Sequence, residues 1–215
     1  TQGSLTSADY GITFVGADYV IATKPVKVSG VTAGNKEYDG TITADVSTTN
    51  AVFDGIIEGD KLTVSATGEF ADANAGDGKI VNIGNLTLGG DSAANYEIAV
   101  SGNQETAKAN ITKKPVTVIP DEGISKVYGE DDPTFTYKAE GLLKGETLKG
   151  TLAREQGQSI GEYPYNIGTL DSVNSNYHVS LVENAGTFTI TKAALTVKAD
   201  AKTITYGDEA AALTY

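Results

Sequence analysis

The same short landmarks return along this 215-residue chain in the same order and at nearly the same spacing. Self-similarity at a fixed period marks an array of like units, and it restricts the possible folds more than any composition does. The first landmark is a strand running into a linker: Asp18-Tyr-Val-Ile-Ala-Thr-Lys-Pro-Val26, Ala109-Asn-Ile-Thr-Lys-Lys-Pro-Val116 and Thr187-Phe-Thr-Ile-Thr-Lys-Ala-Ala-Leu195. Pro25 and Pro115 are 90 residues apart, and Ala194 takes the same step 79 residues later. The second landmark follows each linker: Asn35-Lys-Glu-Tyr-Asp-Gly40, Ser125-Lys-Val-Tyr-Gly129 and Lys202-Thr-Ile-Thr-Tyr-Gly207. Its tyrosines, Tyr38, Tyr128 and Tyr206, are 90 and 78 residues apart, so two independent markers keep the same period to within a residue.

Further pairs fill the interval. Asn82-Ile-Gly-Asn-Leu86 precedes Asn95-Tyr-Glu-Ile-Ala-Val100, and Asn166-Ile-Gly-Thr-Leu170 precedes Asn176-Tyr-His-Val-Ser-Leu181. A shorter version, Gly3-Ser-Leu5 before Asp9-Tyr-Gly-Ile-Thr-Phe14, opens the chain. Midway, Gly55-Ile-Ile-Glu-Gly-Asp-Lys-Leu62 answers Gly141-Leu-Leu-Lys-Gly-Glu-Thr-Leu148. These matches predict two complete modules, 26–114 and 115–193, with residues 1–25 as the tail of a preceding module and 194–215 as the head of a following one. Each link is as short as Thr-Lys-Lys-Pro, where proline fixes its own φ and restrains the residue before it. Such joints predict modules set in line as an elongated rod.

Within a module the strands are read by alternation. In Tyr96-Glu-Ile-Ala-Val100 and Tyr177-His-Val-Ser-Leu181 the Tyr, Ile/Val and Val/Leu side chains share one face, with Glu97, His178 and Ser180 on the other. Phe188 and Ile190 alternate with threonines, and Leu195 and Val197 with Thr196 and Lys198. The pattern is that of half-buried, antiparallel-type strands. The Gly55–Leu62 and Gly141–Leu148 segments are too short for a helix interior and read as one helical turn or a tight connection. The expected fold is therefore mainly β: tandem small modules of six or seven short strands with one short helical turn. Two versions fit, a two-layer sheet covered by that turn and an Ig-like β-sandwich with two sheets.

Composition excludes several kinds of function. The 16 basic and 28 acidic groups leave a net charge of −12, without a Lys/Arg cluster, which disfavours nucleic acid and anionic membrane as partners. Without cysteine there are no disulfides, thiol nucleophiles or thiolate metal sites. No apolar run approaches the roughly 18 residues that would insert into a membrane.

The residues just quoted carry a resemblance. Val31-Thr-Ala-Gly-Asn-Lys-Glu-Tyr-Asp-Gly-Thr41 resembles the opening of the YDG-type domain, and Lys126-Val-Tyr-Gly-Glu-Asp-Asp-Pro-Thr-Phe-Thr-Tyr137 is similar to that of the MBG domain. Gly150-Thr-Leu-Ala-Arg154, Gly161-Glu-Tyr-Pro-Tyr165 and Phe188-Thr-Ile-Thr-Lys192 resemble the rest of the second type, in order. The resemblance implies a repeat unit of large secreted or surface-anchored bacterial proteins, often adhesins, and carries no catalytic or ligand-binding residues with it. The first module differs by a longer stretch around Gly68 to Gly78.

Four specific chemistries compete with a purely structural role. His178, the single histidine, faces outward on its strand with no triad or metal partners in reach, so catalysis is not expected. Asp121, Glu122, Glu130, Asp131 and Asp132 are weak calcium candidates, hard oxygen donors grouped at the head of the second module, with Asp208 and Glu209 as their counterpart one repeat on. Their alternative is a solvated acidic turn. The tyrosines Tyr10, Tyr96 and Tyr177, with Tyr38, Tyr128 and Tyr206, offer aromatic faces to a glycan, but their recurrence points to packing. Lys27 and Asn110, at opposite ends of the first module, are an isopeptide pair if their strands are neighbours. The resulting expectation is a non-catalytic, cofactor-free, extracellular stalk of an adhesin, with neighbouring repeats as its partners and its terminal segments open to self-association. A module that binds glycan or host protein directly is the alternative.

Overall fold

The computed structural model describes residues 6–13 and 15–215, so the Gly3-Ser-Leu5 landmark and Phe14 lie outside the described residues. Two compact units divide the chain: Thr1–Lys36 with Thr41–Ile111, and Glu37–Gly40 with Thr112–Tyr215. Among the described residues no helix is long and apolar enough to cross a membrane.

The first unit holds β1 (Lys24–Ser29), β2 (Thr32–Ala33), β3 (Lys36–Glu37), β4 (Thr43–Ala44), β5 (Val46–Ser47), β6 (Val52–Asp54), β7 (Thr63–Phe70), β8 (Gly76–Gly89), a 3-10 turn at Ala93–Asn95, β9 (Tyr96–Ile98) and β10 (Thr106–Thr112). They form a three-stranded sheet β6-β1-β9, a five-stranded sheet β3-β10-β8-β7-β4 and a small β2-β5 pair. Val28, Val31 and Val64 make a buried cluster, against which Phe53, Ile83, Leu86 and Ile98 pack. Where the ladder runs out, side-chain amides replace it. Gln104 accepts from Val31 N (3.0 Å) and donates to Val31 O (2.7 Å), while Asn103 Oδ1 accepts from Val28 N (2.9 Å). Half-buried backbone groups left unpaired would be costly, which is why these polar residues sit beside the core.

The second unit contains β11 (Lys114–Pro120), β12 (Ser125–Val127), β13 (Tyr137–Glu140), β14 (Ala153–Arg154), β15 (Gly161–Asn166), the single-turn helix α1 (Leu170–Val173), β16 (Tyr177–Leu181) and β17 (Thr187–Thr191). Its sheets are β13-β11-β16 and β12-β17-β15-β14. Val116 and Val118 of β11, Val179 of β16, Leu170 of α1, and Phe188 and Ile190 of β17 are buried in its core. Phe135 stands edge-on to both Tyr165 and Phe188, with centroids 5.6 and 5.3 Å apart.

The mainly β architecture matches the expectation, and both the sandwich's division of strands between sheets and a helical turn are present. The details differ. The first unit has ten strands rather than six or seven, because several are two-residue ladders too short to leave an alternating pattern in the sequence. The Gly55 and Gly141 segments are tight connections, closed by Asp60 N donating to Ile57 O (3.1 Å) and Glu146 N to Leu143 O (3.0 Å). The helical turns lie instead just ahead of β9 and β16. Those two strands run parallel to β1 and β11, not antiparallel. Alternation reports which face is buried and reads the same in either direction. Val100 lies past the end of β9 and is exposed. No strand is assigned to Leu195–Lys198, and Leu195 and Val197 are exposed. A period of two makes a strand only where a partner ladder receives it.

The linker prolines occupy the one position where a central strand tolerates them. β1 pairs with β9 from Lys24 onward but with β6 only from Lys27, and β11 pairs with β16 from Lys114 but with β13 only from Thr117. Pro25 and Pro115 therefore stand where just one side of the strand is laddered, so a missing N–H donor is harmless. A single residue, Lys113, separates β10 from β11.

Candidate functional site

The recurrent tyrosines that open β9 and β16 perform the same local task. Tyr177 accepts a bond from Leu143 N (3.2 Å) and donates to Glu146 Oε2 (2.6 Å); Tyr96 accepts from Ile57 N (3.0 Å) and donates to Asp60 Oδ2 (2.5 Å). The phenol thus ties down the tight connection that carries its acidic partner. Burial, reinforced by the bond to Glu146, pushes the Tyr177 hydroxyl up to about 12, and burial with the bond to Asp60 raises that of Tyr96. In the second unit Glu146 also accepts from Tyr38 (3.0 Å), whose ring is edge-on to Tyr177 with centroids 5.5 Å apart. Burial and Glu146 raise the Tyr38 hydroxyl as well.

The strongest electrostatic cluster lies elsewhere in the second unit. Lys126 and Arg154 keep side-chain exposures of only 2% and 5%, and they share one carboxylate, Asp132, which retains 32%. Arg154 grips it in bidentate fashion, Nε to Oδ2 at 2.7 Å and Nη2 to Oδ1 at 2.8 Å, while Lys126 Nζ approaches Oδ1 at 2.7 Å and donates to Gln158 Oε1 at 2.6 Å. The guanidinium lies over the rings of Tyr163 and Phe188, 4.8 and 4.9 Å from their centroids, and donates to the carbonyls of Glu155 and Gly157. Arg154, then Lys126, holds the Asp132 carboxyl down at about 2, well below the usual carboxylate range. A cavity of about 480 Å³ opens beside the group, lined by Asp132, Phe135, Leu152, Arg154 and Gln158 among others.

The five calcium candidates are not gathered by this arrangement. Both Asp132 oxygens engage cations, and Glu130 Oε2 accepts from Val127 N at 3.1 Å, closing its own turn. Asp121 N donates to Thr136 O, and Asp121, Glu122 and Asp131 are not joined to that cluster. Among the described residues no group of three or more His, Asp or Glu side chains is placed to hold a metal ion. Lys27 and Asn110 are not on neighbouring strands. β1 and β10 belong to different sheets; Lys27 points to Asp54 at 4.0 Å, and Asn110 Oδ1 accepts from Gly78 N at 2.7 Å. His178 is exposed on β16, its Nδ1 3.6 Å from Asp171, as alternation predicts.

Of the recurrent tyrosines, Tyr38, Tyr96 and Tyr177 are buried, whereas Tyr10, Tyr128 and Tyr206 are exposed. The packing role inferred from recurrence thus holds for three of the six. Sequence reading missed the roles of Asp60, Glu146, Lys126 and Arg154. Asp60 and Glu146 had a usable signal, an acid at the same place in both midway landmarks. Arg154 had only its uncommon identity, one arginine in the chain.

The tyrosine anchors, the mixed three-stranded sheets and the glycine-rich connections are one plan used twice, and family comparison identifies the two versions. The YDG domain profile matches residues 22–106, and that of the MBG domain, YGX type, matches residues 116–189. The chain contains a YDG domain followed by an MBG domain. Both are non-enzymatic, repeat-type families typical of surface proteins. No curated protein and no solved structure matches the chain. The extra length around Gly68 to Gly78 belongs to the β7–β8 hairpin of the YDG domain, whose turn carries an Asp72–Lys79 ion pair of 2.6 Å.

Proposed function

We propose that this pair of domains is a non-catalytic spacer in the stalk of a bacterial surface or secreted adhesin, holding a distal binding domain away from the cell. The observation that carries this reading is the use made of the repeated chemistry. The Tyr96–Asp60 and Tyr177–Glu146 pairs, which recur in the two domains, are bonded to each other and to the backbone of their own connections, so this shared part of the plan is directed at folding. A binding repeat would instead turn its recurrent groups outward in a convergent pocket. Neither His178 nor Asp132 supports catalysis: the first is exposed with one distant carboxylate, and the second is fully engaged by two cations. The net charge of −12 suits a solvated, unaggregated extracellular array rather than one that binds nucleic acid or anionic lipid.

The test is a glycan array together with immobilised extracellular-matrix proteins, probed with the full chain, and antibody labelling of intact cells. Expected are surface labelling and no saturable binding. Saturable binding to a glycan or a host protein would replace the spacer with an adhesive module, and labelling confined to permeabilised cells would remove the surface location.

A further inference from the structure

Four residues of the YDG signature fold with the domain that follows. The YDG profile spans residues 22–106, yet Glu37–Gly40 belong to the second unit, while the chain up to Lys36 and from Thr41 belongs to the first. Glu37 Oε1 meets Lys114 Nζ, at the start of β11, at 2.8 Å. Tyr38 N donates to Thr112 O at 2.9 Å, and its hydroxyl donates to Glu146 Oε1 at 3.0 Å. The Tyr38 ring, 7% exposed, stands edge-on to Tyr177. Gly40 has a φ of +77°, and a Cβ there would come 3.2 Å from Leu143 Cδ1.

The two receiving carboxylates differ in where their second donor comes from. Asp60 accepts from Tyr96 at one oxygen and, at the other, from Ser92, four residues before that tyrosine. Four residues before Tyr177 stands Val173, which lines a hollow with Glu146 and Tyr177 but has no hydroxyl to give. Tyr177 takes Glu146 Oε2, and Tyr38 takes the oxygen left over. The backbone position alone does not bury a tyrosine: one repeat later Tyr128 N makes the same bond, to Thr191 O at 2.9 Å, and its ring stays 55% exposed.

We propose that Glu37–Gly40 is a docking element that the second unit needs for its full stability, so that the MBG domain takes its partner from the repeat before it. What it recognises is a tyrosine that completes the Glu146 carboxylate, flanked by an acid for Lys114 and a glycine beside Leu143. A phenol donating to a carboxylate and an edge-on aromatic pair are both favourable where the rings are shielded from water. In an array of repeats, each unit's stability includes what its neighbour supplies, and here that supply is concentrated in one side chain. The proposal goes beyond the spacer reading and stands or falls separately from it, since it is read from the chain in solution with neither ligand nor cell.

Hydrogen exchange of the full chain, followed amide by amide, tests it. Tyr38→Ala should lower protection in β11 and β16 by about tenfold or more, while β7 and β8 of the first unit keep theirs. Tyr38→Phe keeps the ring and removes only the bond to Glu146, so its loss should be smaller, about threefold or more, and fall in the same strands. In a Glu146→Ala background the same change should cost nothing further, because a pair that acts through one bond is not additive. Tyr128→Ala, at the equivalent but exposed position, is the control and should leave both units unaltered. Unchanged protection of the second unit in Tyr38→Ala overturns the proposal. So does a loss in Tyr38→Phe that falls on β7 and β8 as much as on β11 and β16, an outcome that makes Tyr38 a core residue of the first unit.

Discussion

The two domains place a lysine at the same point of the repeat and surround it differently. In the YDG domain Lys36 is half-buried, donates to Thr41 O (2.7 Å) and Oγ1 (3.0 Å), and lies 5.5 Å from the Phe70 ring centre. In the MBG domain the equivalent Lys126 is almost fully enclosed and shares Asp132 with Arg154. One sequence position thus lies half-buried over a phenylalanine ring in one domain and enclosed in a two-cation cluster in the other. Burying a cation is costly unless it is paired, so a second buried cation binds the MBG core to the presence of Asp132. Another landmark diverges likewise, at Asn82–Leu86 and Asn166–Leu170. In the YDG domain it lies inside β8 at a bulge, where Asn85 adopts a φ of +48° and donates to Thr67 Oγ1 (3.1 Å). In the MBG domain it ends β15, Asn166 Oδ1 accepts from Gly168 N (3.1 Å), and α1 begins. Similar letters make a continuing strand where a long partner strand is available, and a strand end where it is not.

The largest expected difference is electrostatic. Asp132→Ala leaves Lys126 and Arg154 enclosed without their counter-charge, and should destabilise the MBG domain by about 3 kcal/mol, the low end for a broken buried pair because Asp132 is a third exposed. Asp72→Ala, which removes the half-exposed YDG pair with Lys79 and the turn bond from Asn74 N, should cost less than about 1 kcal/mol. Acid titration checks the same point. The Asp132 pKa is depressed to about 2 in the folded chain, so its stabilisation is complete above pH ~4 and is lost as pH falls towards 2. Hydrogen exchange should show the MBG amides losing protection over that window in the parent chain and not in Asp132→Ala. Equal loss in both domains would remove the contrast.

Next comes the backbone. Gly141 has a φ of +99°, and an added Cβ would stand 2.6 Å from Pro115 O; Gly55, at +97°, would place one 3.2 Å from Pro25 O. Both substitutions to alanine force an unfavourable left-handed backbone. Gly141→Ala adds a collision with a carbonyl fixed in the central strand, and should cost about 2–3 kcal/mol against about 1 kcal/mol for Gly55→Ala. Thermal denaturation of the two variants decides between this order and its reverse.

The tyrosine anchors should differ in alkali. The Tyr177 pKa is raised from 10 to about 12, so its contribution is intact below pH ~10 and is lost as pH rises towards 12. Absorbance at the phenolate band should show its titration last, and Tyr177→Phe should delete that late step. Smallest is Tyr165→Phe. The Tyr165 hydroxyl is buried and lacks a hydrogen-bond partner, so its removal should raise stability by up to about 1 kcal/mol. A loss of stability would mean that the hydroxyl has a bond, for example to buried water.

Periodicity and spacing determined much of this protein in advance. The repeat landmarks marked out the recurring units, proline marked the linkers, and a period of two gave the buried faces of β16 and β17, because those signals are local and each residue carries them without reference to distant chain. The tertiary structure decided what locality cannot encode. Strand direction at Tyr96 and Tyr177 depended on which ladder received them, and the partner of Lys27 on which sheet β1 joined. The carboxylate of Asp132, expected as a free oxygen donor, was claimed by Arg154 from 22 residues away. The division among the repeated tyrosines has the same origin. Each stands in a similar landmark, but a ring is buried only where another segment closes over it, as Tyr177 and Glu146 do for Tyr38, while Tyr128 stays exposed.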